Sequence, residues 1–231
     1  MIMNTGGRRF KIPMFDMILC LSNAMDLVSP AVVDHHERVA YIASVLSAEL
    51  GVSRHDQAEI AMAGALHDMG AFSLRERLDT LSFEMESPHQ HGEAGYLLLR
   101  KFEPFSSVAS MIRYHHVPWR DGKGSEFGEN PVPVGSHILH LADRVDILTG
   151  RRREAFREVG KICGKIEKET GRLFMPEIVR AFLATAKKES FWLDLAFPSI
   201  DRVLARRMGN ATIELDLRGL LLMAELFSQV I

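Results

Sequence analysis

The chain has 231 residues, 47% of them hydrophobic and 25% charged, with a formal net charge of −2. This ordinary globular balance carries no basic field for DNA or an anionic membrane, and no apolar run approaches the roughly 18–20 residues that cross a bilayer. Cys20 and Cys163 each sit inside a helical pattern, which argues against a disulfide framework and for a reducing, cytoplasmic setting.

The segment Met1 to Lys11 is polar and basic without a signal-peptide core, and Met1 to Pro13 reads as a loose arm. Phe15, Ile18, Leu19, Ala24 and Leu27 predict a helix that Ser29-Pro30 stops. A second helix is expected from about Val33 to Leu50, with Val39, Ile42, Ala43, Leu46 and Leu50 on one face and Gly51 as its stop. His35 points with that apolar stripe, whereas His36, about 100° round the axis, is expected nearer solvent. Ser53 caps a third helix, which runs through Ile60-Ala61-Met62-Ala63-Gly64-Ala65-Leu66 and ends at His67-Asp68 before Gly70. The stretch from Ser73 to Pro88 is polar and broken.

Two further helices are expected, from about His91 to Phe102 and from Phe105 to His116. The longest loop follows, through Pro118 to Pro133; loops beyond about 12–15 residues are often functional. A helix from Gly135 to Thr149 carries His137, His140 and Asp143. Beyond Gly150 an amphipathic helix reaches about Thr170, Pro176 starts another to Lys188, and at least two more segments lead to Ile231. Leu217 to Ile231 is apolar on nearly all sides, which predicts burial or a partner. No period-2 strand and no phosphate-binding glycine loop is evident, since Asp121-Gly122-Lys123-Gly124 follows no strand. The expected fold class is all-α.

A histidine followed by an aspartate at the end of so apolar a helix is costly to bury without a partner, and a metal ion is one of few that compensates. Taken singly, each histidine has a plain structural explanation: His55 and His89 as solvent-facing, His137 and His140 as core-edge residues. The ordered set His35, His67-Asp68, His91, His115-His116 and Asp143 is a different matter. Five imidazoles and two carboxylates exceed what one ion needs. Nitrogen and oxygen donors without thiolate suit iron or manganese, with zinc or nickel as alternatives. Two adjacent ions are the usual tool of phosphoester hydrolysis, and Asp68, directly following a ligand, is the candidate to bridge them and the catalytic residue.

The chain resembles the HD superfamily of metal-dependent phosphohydrolases and, within it, the HD-GYP branch of cyclic di-GMP phosphodiesterases. The matching pieces are His35-His36-Glu37-Arg38-Val39-Ala40, Ala65-Leu66-His67-Asp68-Met69-Gly70, His91-Gly92-Glu93-Ala94-Gly95, His115-His116, Asp121-Gly122-Lys123-Gly124 and Ala142-Asp143-Arg144-Val145-Asp146. Gly171-Arg172-Leu173-Phe174-Met175-Pro176-Glu177 resembles the branch's helix pair after the site. The resemblance implies metal ligands at His35, His67, Asp68, His91, His115, His116 and Asp143, and a phosphate-facing basic residue at Arg152. It also implies an HD-GYP-like domain over residues 30–187, preceded by an arm and lead-in helix (1–29) and followed by a helical extension (188–231).

Three departures stand out. Gly124 is followed by Ser125-Glu126 in place of the branch's Tyr-Pro, with Arg120 as an apparent insertion and a second phosphate-facing candidate. Ala71 stands where the family often has a lysine, and Ala31 where some members have a glutamate. The expected function is hydrolysis of a cyclic dinucleotide or related nucleotide phosphoester at a binuclear centre. The alternative is a catalytically weak metal- and nucleotide-binding signalling module, and a purely structural bundle is third. No membrane insertion or DNA binding is expected, and the last helix is expected to form a homodimer, lead into a further module, or close the core.

Overall fold

Helix follows helix along the chain, as the apolar spacing predicts. A computed structural model describes residues 9–26, 33–83, 89–150, 155–208 and 212–230. Strand β1 (Phe10–Pro13) leads into α1 (Met14–Asp26), α2 (His35–Glu49) and α3 (Arg54–Leu66). Next come α4 (Leu74–Asp79), α5 (Gln90–Leu99) and α6 (Ser106–Arg113), then a two-residue hairpin of β2 (Glu126–Phe127) and β3 (Asn130–Pro131). The chain continues through α7 (Val134–Thr149), α8 (Ala155–Lys168), α9 (Pro176–Ala186), α10 (Glu189–Leu195) and α11 (Ile200–Met208). It closes with β4 (Thr212–Leu215) and α12 (Leu217–Val230).

The core is organised on α2, which packs against α3, α7, α9 and α11. Val39, Ile42, Ala43 and Leu46 supply its buried face. Gly51, at φ +72°, adopts the left-handed turn that ends α2 at little steric cost, and Ser53 Oγ then accepts the Asp56 N–H to cap α3. Helix α3 lies so close to α2 that a Cβ on Gly64 would sit 2.8 Å from Ala40 Cα. Helix α7 runs through the interior, every residue from Gly135 to Asp146 being buried. These contacts bring the start of α2, the end of α3 and the middle of α7 to one place.

Several local expectations are corrected. The arm is not loose from Phe10 onward: β1 pairs antiparallel with β4, Phe10 opposite Leu215 and Pro13 opposite Thr212. Four residues are too few to register as a period-2 pattern. Helix α4 forms in the stretch read as broken, because Ser73 and Glu76 cap its first turn reciprocally. Helix α12 is not buried all round: Met223 and Leu226 pack inward, while Leu217 and Leu221 are 65% and 63% exposed. No described helix is long and apolar enough to cross a membrane.

The close approach at Gly64 makes a prediction. Gly64→Ala should force α2 and α3 apart and destabilise the fold by about 1–3 kcal/mol. Thermal melting by circular dichroism reads this as a lowered Tm; an unchanged Tm would show that the two helices are not held by this contact.

Candidate metal centre

Two groups of buried donors meet at Asp68. His35, from the first turn of α2, His67, capping the end of α3, and Asp143, from α7, form one group. His91 at the start of α5 and His115 and His116 just after α6 form the other, with Asp68. The Oδ2 atom of Asp68 lies 3.3 Å from His67 Nε2 and 3.8 Å from His35 Nε2. Its Oδ1 atom lies 3.3 Å from His91 Nε2 and 3.8 Å from His115 Nε2. His91 Nε2 is 3.3 Å from His115 Nε2 and 3.1 Å from His116 Nε2. Asp143 Oδ1 stands 3.6 Å from His35 Nε2 and 3.8 Å from His67 Nε2. Donors about 2.1 Å from a shared ion stand roughly 3.0–3.4 Å apart, so these spacings suit divalent ions with a small contraction.

The backs of the rings are anchored. His67 Nδ1 donates to the Gly64 carbonyl at 2.8 Å, His115 Nδ1 to the Ile112 carbonyl at 2.6 Å, and His35 Nδ1 to Asp146 Oδ2 at 2.7 Å. Each bond orients its ring so that Nε2 faces inward, as metal-binding histidines require. Arg38 in turn grips Asp146, Nε to Oδ1 at 2.5 Å and Nη2 to Oδ2 at 3.1 Å. Arg144 binds Asp143 Oδ2 at 2.6 Å and reaches the carbonyls of Thr80, Ser82 and Phe83. The inward atoms His35 Nε2, His67 Nε2, Asp68 Oδ1 and Asp143 Oδ1 are buried without hydrogen-bond partners. Orphaned donors of this kind cost stability unless something binds them.

Burial pushes His67 down to about 3 and His91 to about 4, which keeps both rings neutral and ready to ligate. It pushes His140 to about 3 as well. Burial also acts to lower His35, but its bond to Asp146 and the nearby carboxylates of Asp68 and Asp143 outweigh it and raise the ring to about 10. Burial would raise Asp68, yet His67, His115 and His35 hold it well below the usual carboxylate range. Asp146, against its own burial, is held at about 2 by Arg38 and His35.

The seven residues picked from the sequence thus come together, and others join them. His36, expected nearer solvent, is 4% exposed, with a ring nitrogen in reach of His67 and Asp68. Helix packing on two sides, by α1 and α3, buries a face that the stripe on α2 alone leaves polar. Asp146, Arg38 and Arg144, which lie within the motifs but are not among the seven, support the donors from behind. Asp146 lies one turn beyond Asp143, and Arg38 one turn beyond His35, a signal that i, i+3 spacing could have supplied. His137 and His140 are buried, His140 edge-on to His116 at 5.7 Å. His55 is exposed, and His89 is half-buried against Phe127. Arg120 is exposed in the loop and outside both groups, its backbone N–H bonded to the Arg172 carbonyl. Arg152 and Ala31 lie outside the described residues.

Residues 32–148 match the family model for the HD domain. The chain belongs to the HD domain family. A cyclic di-GMP phosphodiesterase of Thermotoga maritima is 32% identical over 171 residues, 67% of this chain and 44% of that protein. A 3'3'-cGAMP-specific phosphodiesterase of Vibrio cholerae is 26% identical over 189 residues, 79% and 44% of the two chains. A ribonuclease Y of Thermus thermophilus is 28% identical over 159 residues, 68% and 23%. This HD chain therefore spans less than half the length of these relatives. A solved cyclic GMP-AMP specific phosphodiesterase of V. cholerae superposes with a TM-score of 0.74 at 15% identity, covering 96% of this chain and 60% of that one. That likeness carries the helical fold.

The raised His35 and lowered His67, His91 and His140 set a pH dependence. An ordinary histidine titrates near about 6.5. Protonated His35 stabilises the metal-free fold fully below that value and loses its effect as pH rises through about 10. The three depressed rings stabilise it above about 6.5 and lose their effect as pH falls through about 4 to 3. Melting of metal-free protein across pH 4–10 should show stability declining on both sides. Metal uptake at pH 7.5 should expel about one proton, from His35, measurable by calorimetry in buffers of different ionisation enthalpy; uptake without proton release would contradict a charged His35.

Proposed function

We propose that this HD domain is a metal-dependent phosphodiesterase with a binuclear centre and that its substrate is a cyclic dinucleotide or a related nucleotide phosphoester. The observation that carries the reading is the placement of Asp68, whose two oxygens face different histidine groups. One ion would be held by His35, His67, Asp143 and Asp68, the other by His91, His115, His116 and Asp68. Iron or manganese suits this thiolate-free set best, with zinc or nickel as alternatives. Two such ions supply an activated water and a clamp on the phosphoryl oxygens.

The chain's own residues set up the rest. Asp68 orients both halves of the site from one side chain. Asp146 and Arg38 keep His35 directed inward, and Arg144 covers the outer oxygen of Asp143 so that only Oδ1 faces the centre. Arg120 and Arg152 remain the proposed phosphate contacts. The cyclic di-GMP and 3'3'-cGAMP phosphodiesterases among the relatives support a cyclic dinucleotide as the first substrate to try.

A second reading, a weak or silent nucleotide-binding module, is favoured by two features. The segment after Gly124 turns into the β2–β3 hairpin where the HD-GYP branch has Tyr-Pro, and Ala71 is fully buried where the family often has a lysine.

Elemental analysis of anaerobically purified protein should find about two transition-metal ions per chain. His67→Ala and Asp68→Ala should remove most of that metal and all hydrolysis of cyclic di-GMP, 3'3'-cGAMP and bis(p-nitrophenyl) phosphate, whereas His55→Ala should change neither. Full metal content in both ligand variants would overturn the site. Full metal with no turnover in the unmodified chain would favour the silent module.

A further inference from the structure

One strongly basic side chain in the interior has no part in the scheme so far. Arg77, on α4, is 8% exposed, and two backbone carbonyls are among the groups that hold its head: Nε donates to Ala71 and Nη1 to Met25, both at 2.8 Å. Its own carbonyl accepts the Thr80 hydroxyl at 3.0 Å. A narrow cavity opens against this side chain, walled by Met25, His36, Asp68, Arg77 and Thr80. It therefore borders Asp68, which joins the two donor groups, and among the described residues Arg77 is the one strongly basic residue in its wall. The free space is about the size of one water, enough for a single oxygen atom and far too small for a base or sugar.

We propose that Arg77 is a phosphate-binding residue of this site, seating one non-bridging phosphoryl oxygen in the cavity between itself, His36 and Asp68. The inference rests on the phosphohydrolase reading above. A phosphodiester drawn to the centre brings negative charge into a buried space where the nearest carboxylate is repulsive. A cation already fixed in that wall offsets the repulsion without reorganising when the ligand arrives. The guanidinium suits the task because it stays charged when buried and presents several donors in one plane. Its Nε bond ends on the carbonyl of Ala71, so the positive charge is delivered beside the residue where the resemblance leads one to expect lysine, but from the following helix. The reciprocal cap of Ser73 and Glu76 fixes α4 and with it the direction of the Arg77 side chain.

The test uses the whole chain loaded with Zn²⁺, inorganic phosphate as the probe, and two readouts. In isotope-labelled unmodified protein, the Arg77 Nε–Hε signal should shift as phosphate is titrated in. By calorimetry, Arg77→Gln, which keeps an amide donor for the carbonyls but removes the charge, should bind phosphate at least about 10-fold more weakly at unchanged metal content. Arg77→Lys should recover part of that loss. An Arg77 signal that does not move, or phosphate affinity of Arg77→Gln within about 2-fold of the unmodified chain, would overturn the inference and leave Arg77 as a clamp between α1 and α4. Equal loss in the Lys and Gln variants would do the same. If Arg77→Gln fails to fold, the signal in the unmodified protein decides. Failure of the unmodified, metal-loaded protein to bind phosphate at all would instead overturn the phosphohydrolase reading, and this inference with it.

Discussion

The constraint on which the structure depends is the Asp68 carboxylate, 5% exposed and surrounded by imidazoles. A buried carboxylate is unstable unless positive or polarisable partners face it. Here the partners come from four places along the chain, since His35, His67, His91 and His115 all direct Nε2 within 4 Å of its oxygens. The metal-free arrangement borrows part of its compensation from a charged His35, the ring whose proton an ion would have to replace. Ligand binding and folding are therefore the same electrostatic problem in this domain.

The surrounding helices supply the precision. Adjacent residues His67 and Asp68 can converge because α3 ends at Leu66; within a helix their side chains would point about 100° apart. The missing Cβ of Gly64 lets α3 approach α2, which sets the distance from His67 to His35. Outside the donors, three of the five rings and Asp143 have a partner on the far side: Asp146 and Arg38 behind His35, Arg144 behind Asp143, carbonyls behind His67 and His115. Such supports decide orientation, and orientation decides affinity.

Toward the mouth the chain departs from the pattern it resembles. Trp119, Arg120 and Asp121 bond through their N–H groups to the carbonyls of Leu173, Arg172 and Gly171. Arg120 and Asp121 take left-handed backbone angles, φ 49° and 52°, which side chains other than glycine rarely adopt. The strain is held by that backbone pairing, and the short hairpin of β2 and β3 follows it. The donor groups and this loop are thus built by different means, helix packing for the first and backbone pairing for the second.

The sequence by itself determined the all-helical class, most of the helix order and which seven His and Asp residues stand out as candidate ligands. Those features are written in local spacing: apolar periods of three and four, caps such as Ser53, and a His-Asp pair too polar for its surroundings. Tertiary structure alone decided how the donors divide, with Asp68 shared between His67 and His91. It alone buried His36, exposed Leu217 and Leu221 on α12, paired β1 with β4, and brought Arg77 and Asp68 to the wall of one cavity. The reason is physical. A helical period says which way a side chain leaves its own axis, but what it meets there depends on a neighbour far away in sequence, which no local pattern encodes.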